Sequence, residues 1–568
     1  MMIIVGKRKW KIKNSIQEPP SELREEFSLS PLTAGLLVER GVKTVSEAKL
    51  FFHGTGKDLT SPFCLDGMEK AVERLASALK KKERILIYGD YDVDGLTSVA
   101  LILRTLRRLK EGNIIYYIPK RLEEGYGLCR DILARAVKNG CRLVLTVDCG
   151  ITACEEADFL KSRGVDLLIT DHHEPGTRIP EAAAVVNPKT TPGYHDRNLA
   201  GVGVTFKLLQ GLAEVFPEIQ ATLWENIDLV ALGTIADIVP LVGENRILVK
   251  EGLKVMQNTA NPGLRAMFDL CGISGKKLAS WHISFLLAPR LNAAGRLGDP
   301  VRGLRLLLAT EPRRAGKLAG ELDELNKKRQ KIEQMVMKEA EEVLAREEPG
   351  KAIVLGGENW HPGVIGIVAS RLVDKYYRPV VLFSLAKDKG KGSARSIPGF
   401  HIFKAFNACS SLLEKFGGHE LAAGLEVSRG KMEDFKQTLS DLADSWLSSD
   451  LLCPFLEIEK VVSLEELTLE LAGEVATLAP FGAGNPEPVL ACLGVNLLDV
   501  NEVGKDGRHL KIKIGNGTVS RHGIGFNFGA FREKLSVGKR FDLAFHLTEN
   551  DWDHKVQLIL KDIQPTTG

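Results

Sequence analysis

Residues 85–95 read Ile85-Leu86-Ile87-Tyr88-Gly89-Asp90-Tyr91-Asp92-Val93-Asp94-Gly95: an apolar run, a glycine, then three carboxylates at alternate positions. Such a run suits a strand buried on both faces of a parallel sheet. Two further runs share the form. Leu143-Val144-Leu145 precedes Thr146-Val147-Asp148-Cys149-Gly150, and Leu167-Leu168-Ile169 precedes Thr170-Asp171-His172-His173-Glu174. Asp237 stands at the end of a fourth apolar segment, Leu229 to Ile238, closed by Pro240. Parallel strands end at one rim of their sheet, where open α/β folds bind ligands. The dispersed aspartates and histidines are therefore expected to converge. So many carboxylates repel one another unless cations are bound, and a mixed oxygen and imidazole set suits Mn²⁺ or Mg²⁺. The expectation is a two-metal hydrolase on a doubly wound α/β sheet.

The remaining composition narrows the setting. A chain of 568 residues is too long for one core, and three or four domains are expected. Lys and Arg (76) nearly balance Asp and Glu (73), so any basic surface is local. The nine cysteines form no CxxC pair, which favours reduced thiols over disulfides or zinc. A basic stretch, Lys7 to Lys13, follows the first few apolar residues, the reverse of a signal peptide, and no apolar run reaches membrane-spanning length. Cytoplasmic localisation without a membrane partner is the expectation.

Residues 1–80 read as a helical segment, with Leu32 to Val38 and Val45 to Phe52 amphipathic. Strands and helices alternate from about 83 to 240, with a helix expected over Thr97 to Lys110, capped by Thr97 or Ser98. More helix follows to about 310. Residues 311–348 read as one long charged helix bridging domains. A second α/β block spans 349–450, and 453–568 carries short alternating strands such as Leu510 to Ile514, Phe541 to Leu547 and Val556 to Ile563, consistent with a small β-barrel.

Each motif has a plainer rival. Asp90-Tyr91-Asp92-Val93-Asp94-Gly95 imitates an EF-hand loop, but the twelfth position is Leu101 instead of Glu, and a strand precedes it where a helix is needed. As solvent-facing turn residues these carboxylates would be unremarkable alone; the other clusters argue otherwise. Asp148 at a strand end could be a helix cap, or a bridge between two cations. In an extended segment His172 and His173 would point oppositely, one to a metal and one to substrate phosphate; the rival is a pair of structural histidines. Asp237 must be metal-bound or paired with a buried arginine. Ala200 to Val204 (AGVGV) lacks the third glycine of a dinucleotide fingerprint, with Phe206 in its place.

Candidate substrate residues lie elsewhere. Arg290, Asn292 and Arg296 stand within seven positions in APRLNAAGRL and suit phosphate recognition, unless they merely face solvent. Lys391, Arg395 and His419, with Gly417 and Gly418, could form a phosphate-tracking groove, or Gly-Gly-His a tight turn. Arg121 and Tyr126, beside Gly125 and Gly127, could contact a strand end or close a loop.

These motifs resemble the four metal motifs of the DHH phosphoesterase superfamily, and FGGHELAAG (416–424) resembles its associated C-terminal domain. More narrowly, ALGTIADIVPLVGENR, APRLNAAGRL, WHPGVIGIVASRL, KGSARSIPGFH and LAPFGAGNPEPVL resemble the RecJ family of bacterial single-strand-specific exonucleases, and the terminal β-rich segment its OB-fold. The resemblance implies a DHH catalytic domain at 81–310, a connecting helix at 311–348, a DHH-associated substrate-binding domain at 349–450 and an OB-fold nucleic-acid-binding domain at 453–568. It further implies Mn²⁺- or Mg²⁺-dependent degradation of single-stranded DNA from the 5′ end to mononucleotides, in recombination and repair. Asp92, Asp94, Asp148, His172 and Asp237 would hold two metals, Asp148 bridging, with Asp90 a ligand or directly behind the ligands. His173 and Arg290 would bind the scissile phosphate, and Asn292, Arg296 and His419 the neighbouring nucleotides. A monomer is expected, with single-stranded-DNA-binding protein and a RecQ-type helicase as partners. A channel between the two α/β blocks would exclude duplex, and the OB-fold would add stacking. Two alternatives compete: a small-substrate DHH phosphodiesterase acting on oligoribonucleotides or cyclic dinucleotides, against which the large β domain argues, and an inactive scaffold, which would be expected to lose acidic ligands.

Overall fold

The computed structural model describes residues 8–13, 19–109, 113–120, 124–125, 127–346, 349–550 and 552–566. The chain divides into two compact units, one formed by 49–329 with 480–486, the other by 1–48, 330–479 and 487–568.

The first unit is built on five parallel strands: β1 (Arg84–Gly89), β2 (Asn113–Tyr117), β3 (Cys141–Val147), β4 (Asp166–Thr170) and β5 (Ala184–Val186), in the order β2-β1-β3-β4-β5. Side chains alternate across the sheet. Ile85, Ile87, Leu143, Leu145 and Leu168 enter one core with helices Met68–Lys80, α1 (Val93–Leu106) and α2 (Gly201–Val215). Leu86, Tyr88, Val144, Leu167 and Ile169 enter another with helices Arg130–Lys138 and Cys154–Ser162. Burial on both faces explains the unbroken apolar runs. Strand order reverses between β1 and β3, and the crevice at such a switch point is the standing ligand site of open α/β sheets.

Two local expectations are corrected. The helix after the first acidic cluster begins at Val93, because Asp92 is its N-cap, its Oδ1 accepting from the amides of Asp94 (3.0 Å) and Gly95 (3.2 Å). Thr97 caps nothing; its hydroxyl donates back to the Val93 carbonyl at 2.8 Å. Helix Pro31–Glu39 is also not amphipathic: Leu32 through Val38 are all buried, as expected of a helix apolar all round.

In the second unit the first residues are not only helical. Lys9–Ile12 forms a strand parallel to Phe455–Ile458, and Trp10 Nε1 donates to Asp562 Oδ2 at 2.8 Å. Ser30 Oγ donates to Glu474 at 2.6 Å, so this segment is fastened to the C-terminal β domain. After α3 (Ile227–Ala236) and α4 (Ala288–Leu297) of the first unit, the long helix α5 (Pro312–Leu344) leads to β6 (Ile353–Gly357), α6 (Ile365–Tyr376), β7 (Val380–Leu385), β8 (Lys389–Arg395), β9 (Lys415–Gly418) and β10 (Ala422–Ser428). They form a mixed sheet in the order β9-β10-β8-β7-β6. The terminal strands β11 (Leu490–Val503), β12 (His509–Gly515), β13 (Ser520–Gly525), β14 (Arg540–Glu549) and β15 (Val556–Pro565) close a barrel in the order β11-β12-β13-β15-β14, with β14 returning to β11. Among the described residues no helix is long and apolar enough to cross a membrane.

Candidate metal centre and nucleic-acid interface

The C-terminal ends of β1, β3 and β4 and of α3 bring together residues that stand far apart in sequence. His172 Nε2 lies 3.1 Å from Asp148 Oδ1, 3.6 Å from Asp237 Oδ2 and 3.8 Å from Asp94 Oδ2. Three overlapping trios have potential ligand atoms within 4.8 Å of one another: Asp90, Asp92 and Asp148; Asp94, His172 and Asp237; Asp148, His172 and His173. Asp148 and His172 are each shared by two of them. Asp90, Asp94, Asp148 and His172 are buried.

The surroundings hold these groups in place. Asp94 accepts from the first turn of α2, Oδ2 from the Gly201 amide at 2.7 Å and Oδ1 from the Val202 amide at 2.8 Å. Asp171 belongs to none of the trios. Its Oδ1 accepts from the amides of His172 (2.7 Å) and His173 (3.1 Å) and pairs with His173 Nδ1 at 2.8 Å, while Oδ2 accepts from the Ile151 amide at 2.8 Å. Asn187 Nδ2 donates to the His173 carbonyl at 3.0 Å. The two histidines do not point oppositely as expected: β4 ends at Thr170, Asp171 folds the backbone around its own carboxylate, and the rings lie 4.5 Å apart. Asp148 adopts φ +61, a left-handed conformation that aspartate tolerates better than most residues.

The electrostatics show what the cluster calls for. Burial, then the charge of Asp92, pushes Asp94 up to about 7; burial and Asp94 push Asp237 up to about 9; the same two causes raise Asp148 well above the carboxylate range. Burial, then His173, pushes His172 down to about 3, so its ring is neutral and able to ligate. Burial opposes charge on His173, but its bond to Asp171 and that residue's charge outweigh it, pushing it up to about 9. Asp171 is correspondingly lowered: burial would raise it, and His173 overrides that. Asp148 Oδ1 and His172 Nε2 are buried without a hydrogen-bond partner among the described residues. Orphaned acceptors among mutually repelling carboxylates fit divalent cations.

The substrate candidates fall in both units. Arg290 lies on α4, its Nε donating to Asp323 of α5 at 2.9 Å and its Nη1 to the Leu286 carbonyl at 2.7 Å. Asn292 and Arg296 share that helix, which packs closely on the acidic loop: a Cβ at Gly295 would sit 2.9 Å from the Tyr91 carbonyl. In the other unit Lys391, Ser393 and Arg395 alternate along one face of β8, with Gly417 in register with Gly424 and Gly424 with Ser393. Nothing lies within 4 Å of a Cβ built at Gly417, so this strip is open down to the backbone. Gly418, at φ +145, and His419, whose amide donates to the Ala422 carbonyl at 2.8 Å, shape the hairpin. Arg121 and Tyr126 lie outside the described residues.

Sequence reasoning placed Asp171 in the converging set without seeing its task there, and missed Gly201 and Asn187 as supporting residues. The signal for Gly201 is the small-residue stretch 200–204, which a dinucleotide template alone does not interpret; a Cβ there would stand 2.5 Å from Asp148 Oδ1. Asn187 carries no signal, being ordinary turn chemistry until the fold brings it to His173.

A parallel sheet with this acidic and histidine cluster at its switch point defines a DHH phosphoesterase, and residues 84–234 match the DHH family, N-terminal domain. Residues 349–448 match the DHHA1 domain and 458–562 the RecJ OB domain. The chain is 39% identical over 567 residues to the single-stranded-DNA-specific exonuclease RecJ of Bacillus subtilis (strain 168), covering 99% of this chain and 71% of that relative. Among solved structures it is similar to RecJ from Thermus thermophilus in complex with Mn²⁺ (TM-score 0.85, 30% identity, 99% of this chain and 80% of that one). It is also similar to the same protein's complex with Mg²⁺ (TM-score 0.79, 29% identity, 99% and 79%). The chain belongs to the RecJ family.

Proposed function

We propose that this protein is a single-stranded-DNA exonuclease that works from the 5′ end, releases mononucleotides and serves recombination and repair. The convergence of Asp90, Asp92, Asp94, Asp148, His172 and Asp237 into overlapping trios carries the reading. Asp90, Asp92 and Asp148 would hold one divalent cation and Asp94, His172, Asp237 and Asp148 the other, so that Asp148 serves both. Cations bound there would acidify the attacking water and offset charge developing on the phosphodiester.

The chain's own residues supply orientation. α2 fixes Asp94 through two amides. Asp171 keeps a positive His173 beside the cluster, where it would engage the scissile phosphate together with Arg290. Asn292, Arg296, Lys391, Arg395, Gly417, Gly418 and His419 would contact the flanking nucleotides, the open strip on β8 to β10 suiting a backbone. A barrel matched as the RecJ OB domain disfavours a small-substrate phosphodiesterase. Polarity and product size rest on family membership alone. Single-stranded-DNA-binding protein and a RecQ-type helicase would be partners of a monomer in the cytoplasm.

The test is incubation with Mn²⁺ and strands labelled at the 5′ or 3′ end, single and paired, beside Asp148→Ala. Wild type should release labelled mononucleotide first from 5′-labelled single strands, and the variant should release none. Digestion by Asp148→Ala at the wild-type rate would remove the assignment of the cluster, and activity confined to short RNA would favour the small-substrate reading.

A further inference from the structure

Ile238 follows Asp237 directly, and it is strained. Its φ is +63, a region that β-branched side chains seldom enter. Among the described residues of this unit three non-glycine positions are left-handed: Lys82, Asp148 and Ile238. Two of the three therefore belong to, or adjoin, the acidic cluster. Burial does not explain the conformation, because Ile238 is 71% exposed. Glycine or asparagine would satisfy the same backbone without an apolar group in water.

The strain persists because both flanks are fixed. On one side α3 runs into the site, with the Asp237 amide donating to Gly233 at 2.9 Å and the Ile238 amide to Ile235 at 3.3 Å. On the other, the Leu241 amide donates to the Ala483 carbonyl at 2.7 Å, and Asn245 Nδ2 holds the Pro240 carbonyl at 3.1 Å. The turn carrying Ala483 fits tightly: a Cβ at Gly482 would meet Leu241 at 2.7 Å, and one at Gly484, itself at φ +71, would meet Pro240 at 2.9 Å. The motif Pro480–Pro486 thus clamps the loop that follows Asp237. Strain held in place by its surroundings beside reacting groups points to a task for the strained residue.

We propose that Ile238 binds substrate, packing on the sugar and base of the nucleotide whose phosphate enters the Asp and His cluster. This rests on the nuclease reading. A phosphate in a polynucleotide arrives with apolar sugar and base faces attached, and the charged cluster offers them nothing. The Cα of this exposed isoleucine is about 4 Å from that of Asp237, one of the residues that would hold the cations the phosphate approaches. Its contact is indifferent to base identity, as a degradative enzyme requires.

The test uses the full chain with Ile238→Gly, Ile238→Asn and Ile238→Val, reading thermal melting, the affinity for a fluorescent oligothymidylate with Ca²⁺ in place of Mn²⁺, and KM and kcat with Mn²⁺. Gly and Asn, which relieve the strain, should melt above wild type yet bind the oligonucleotide about tenfold more weakly. The loss in kcat/KM should be carried by KM, and Val should restore affinity to near wild type. Gly and Asn variants with unchanged affinity and KM would overturn the inference, as would both melting below wild type. If wild type binds the strand but does not digest it, the nuclease reading fails while the affinities still decide Ile238. If wild type does not bind it, both fall.

Discussion

Gly201 shows how closely a single side-chain atom is rationed at this centre. It must donate its amide to Asp94 while its α carbon faces Asp148, and a Cβ would lie 2.5 Å from one Asp148 oxygen and 2.7 Å from its Cβ. Gly201→Ala should therefore displace either α2 or Asp148. Overpacking of this kind costs about 1–3 kcal/mol, and disturbing a ligand's support lowers metal affinity or activity roughly 10- to 100-fold. Calorimetric Mn²⁺ titration and melting would check this; an alanine variant with wild-type affinity would contradict the crowding. A second residue acts through its own titration. His546 Nδ1 donates to the Pro488 carbonyl at 2.7 Å, and burial, then the charge of Lys561, pushes its pKa down from 6.5 to about 4. Since the folded state keeps it neutral, the unfolded chain alone binds a proton between those values, and stability falls as pH drops through 6.5 toward 4. The loss approaches about 3 kcal/mol at the acid end. Denaturant unfolding of wild type and His546→Gln at pH 7 and pH 4.5 should show a smaller drop in the variant, and equal drops would assign the acid sensitivity elsewhere.

At the scale of elements, α2 ties the metal centre to the core. Its first turn grips Asp94, and further along it Lys207 is wholly buried, with Nζ donating to Glu244 Oε1 at 2.5 Å and to the Thr60 carbonyl at 2.6 Å. Tyr194 OH donates to the other Glu244 oxygen at 2.6 Å. Burial lowers the Lys207 pKa, with Glu244 opposing. Lys207→Met leaves Glu244 charged and buried, and should destabilise by about 3–5 kcal/mol, whereas Lys207→Met with Glu244→Gln should recover most of it. Urea unfolding of the single and double variants decides, and an equally unstable double variant would show that packing, not charge, was lost. The sheet and its acidic rim are legible in sequence because burial on both faces writes itself as unbroken apolar runs. The start of α1 is not, because Asp92 serves as both cluster member and N-cap, and composition ranks Thr97 as an equally good cap. The orientation of His172 and His173 escapes for a related reason: period-two alternation presumes a strand, and the Asp171 carboxylate bends the backbone just where the strand stops.

For the whole molecule, order along the chain and order in space part company at two places. The segment before the first sheet reads as a helical lead-in, yet Lys9–Ile12 and Ser30 are secured to residues beyond 450. Pro480–Pro486, which reads as part of a family motif beside the barrel, is packed into the catalytic unit. Neither is legible, because no local pattern records a partner hundreds of residues away. A cut at 450, between the stretches that match the DHHA1 and RecJ OB domains, therefore divides one compact unit and parts 480–486 from the other. A chain ending at Leu452 loses the Ala483 carbonyl that holds the buried Leu241 and the Pro480 carbonyl that Arg246 approaches at 3.5 Å. An unsatisfied buried amide costs about 1–3 kcal/mol, and the loop that follows Asp237 would be released with it. Such a chain should melt below the full protein and be nicked by protease between 238 and 242, even though every acidic and histidine residue of the cluster remains. A chain starting at Pro19 instead loses the strand against Phe455–Ile458 and the Trp10 bond to Asp562 but keeps the 480–486 turn, and its 238–242 loop should stay resistant. Equal resistance in the chain ending at Leu452 would show that the catalytic unit closes without the 480–486 turn, and would leave the contacts at Leu241 and Pro240 without a structural task.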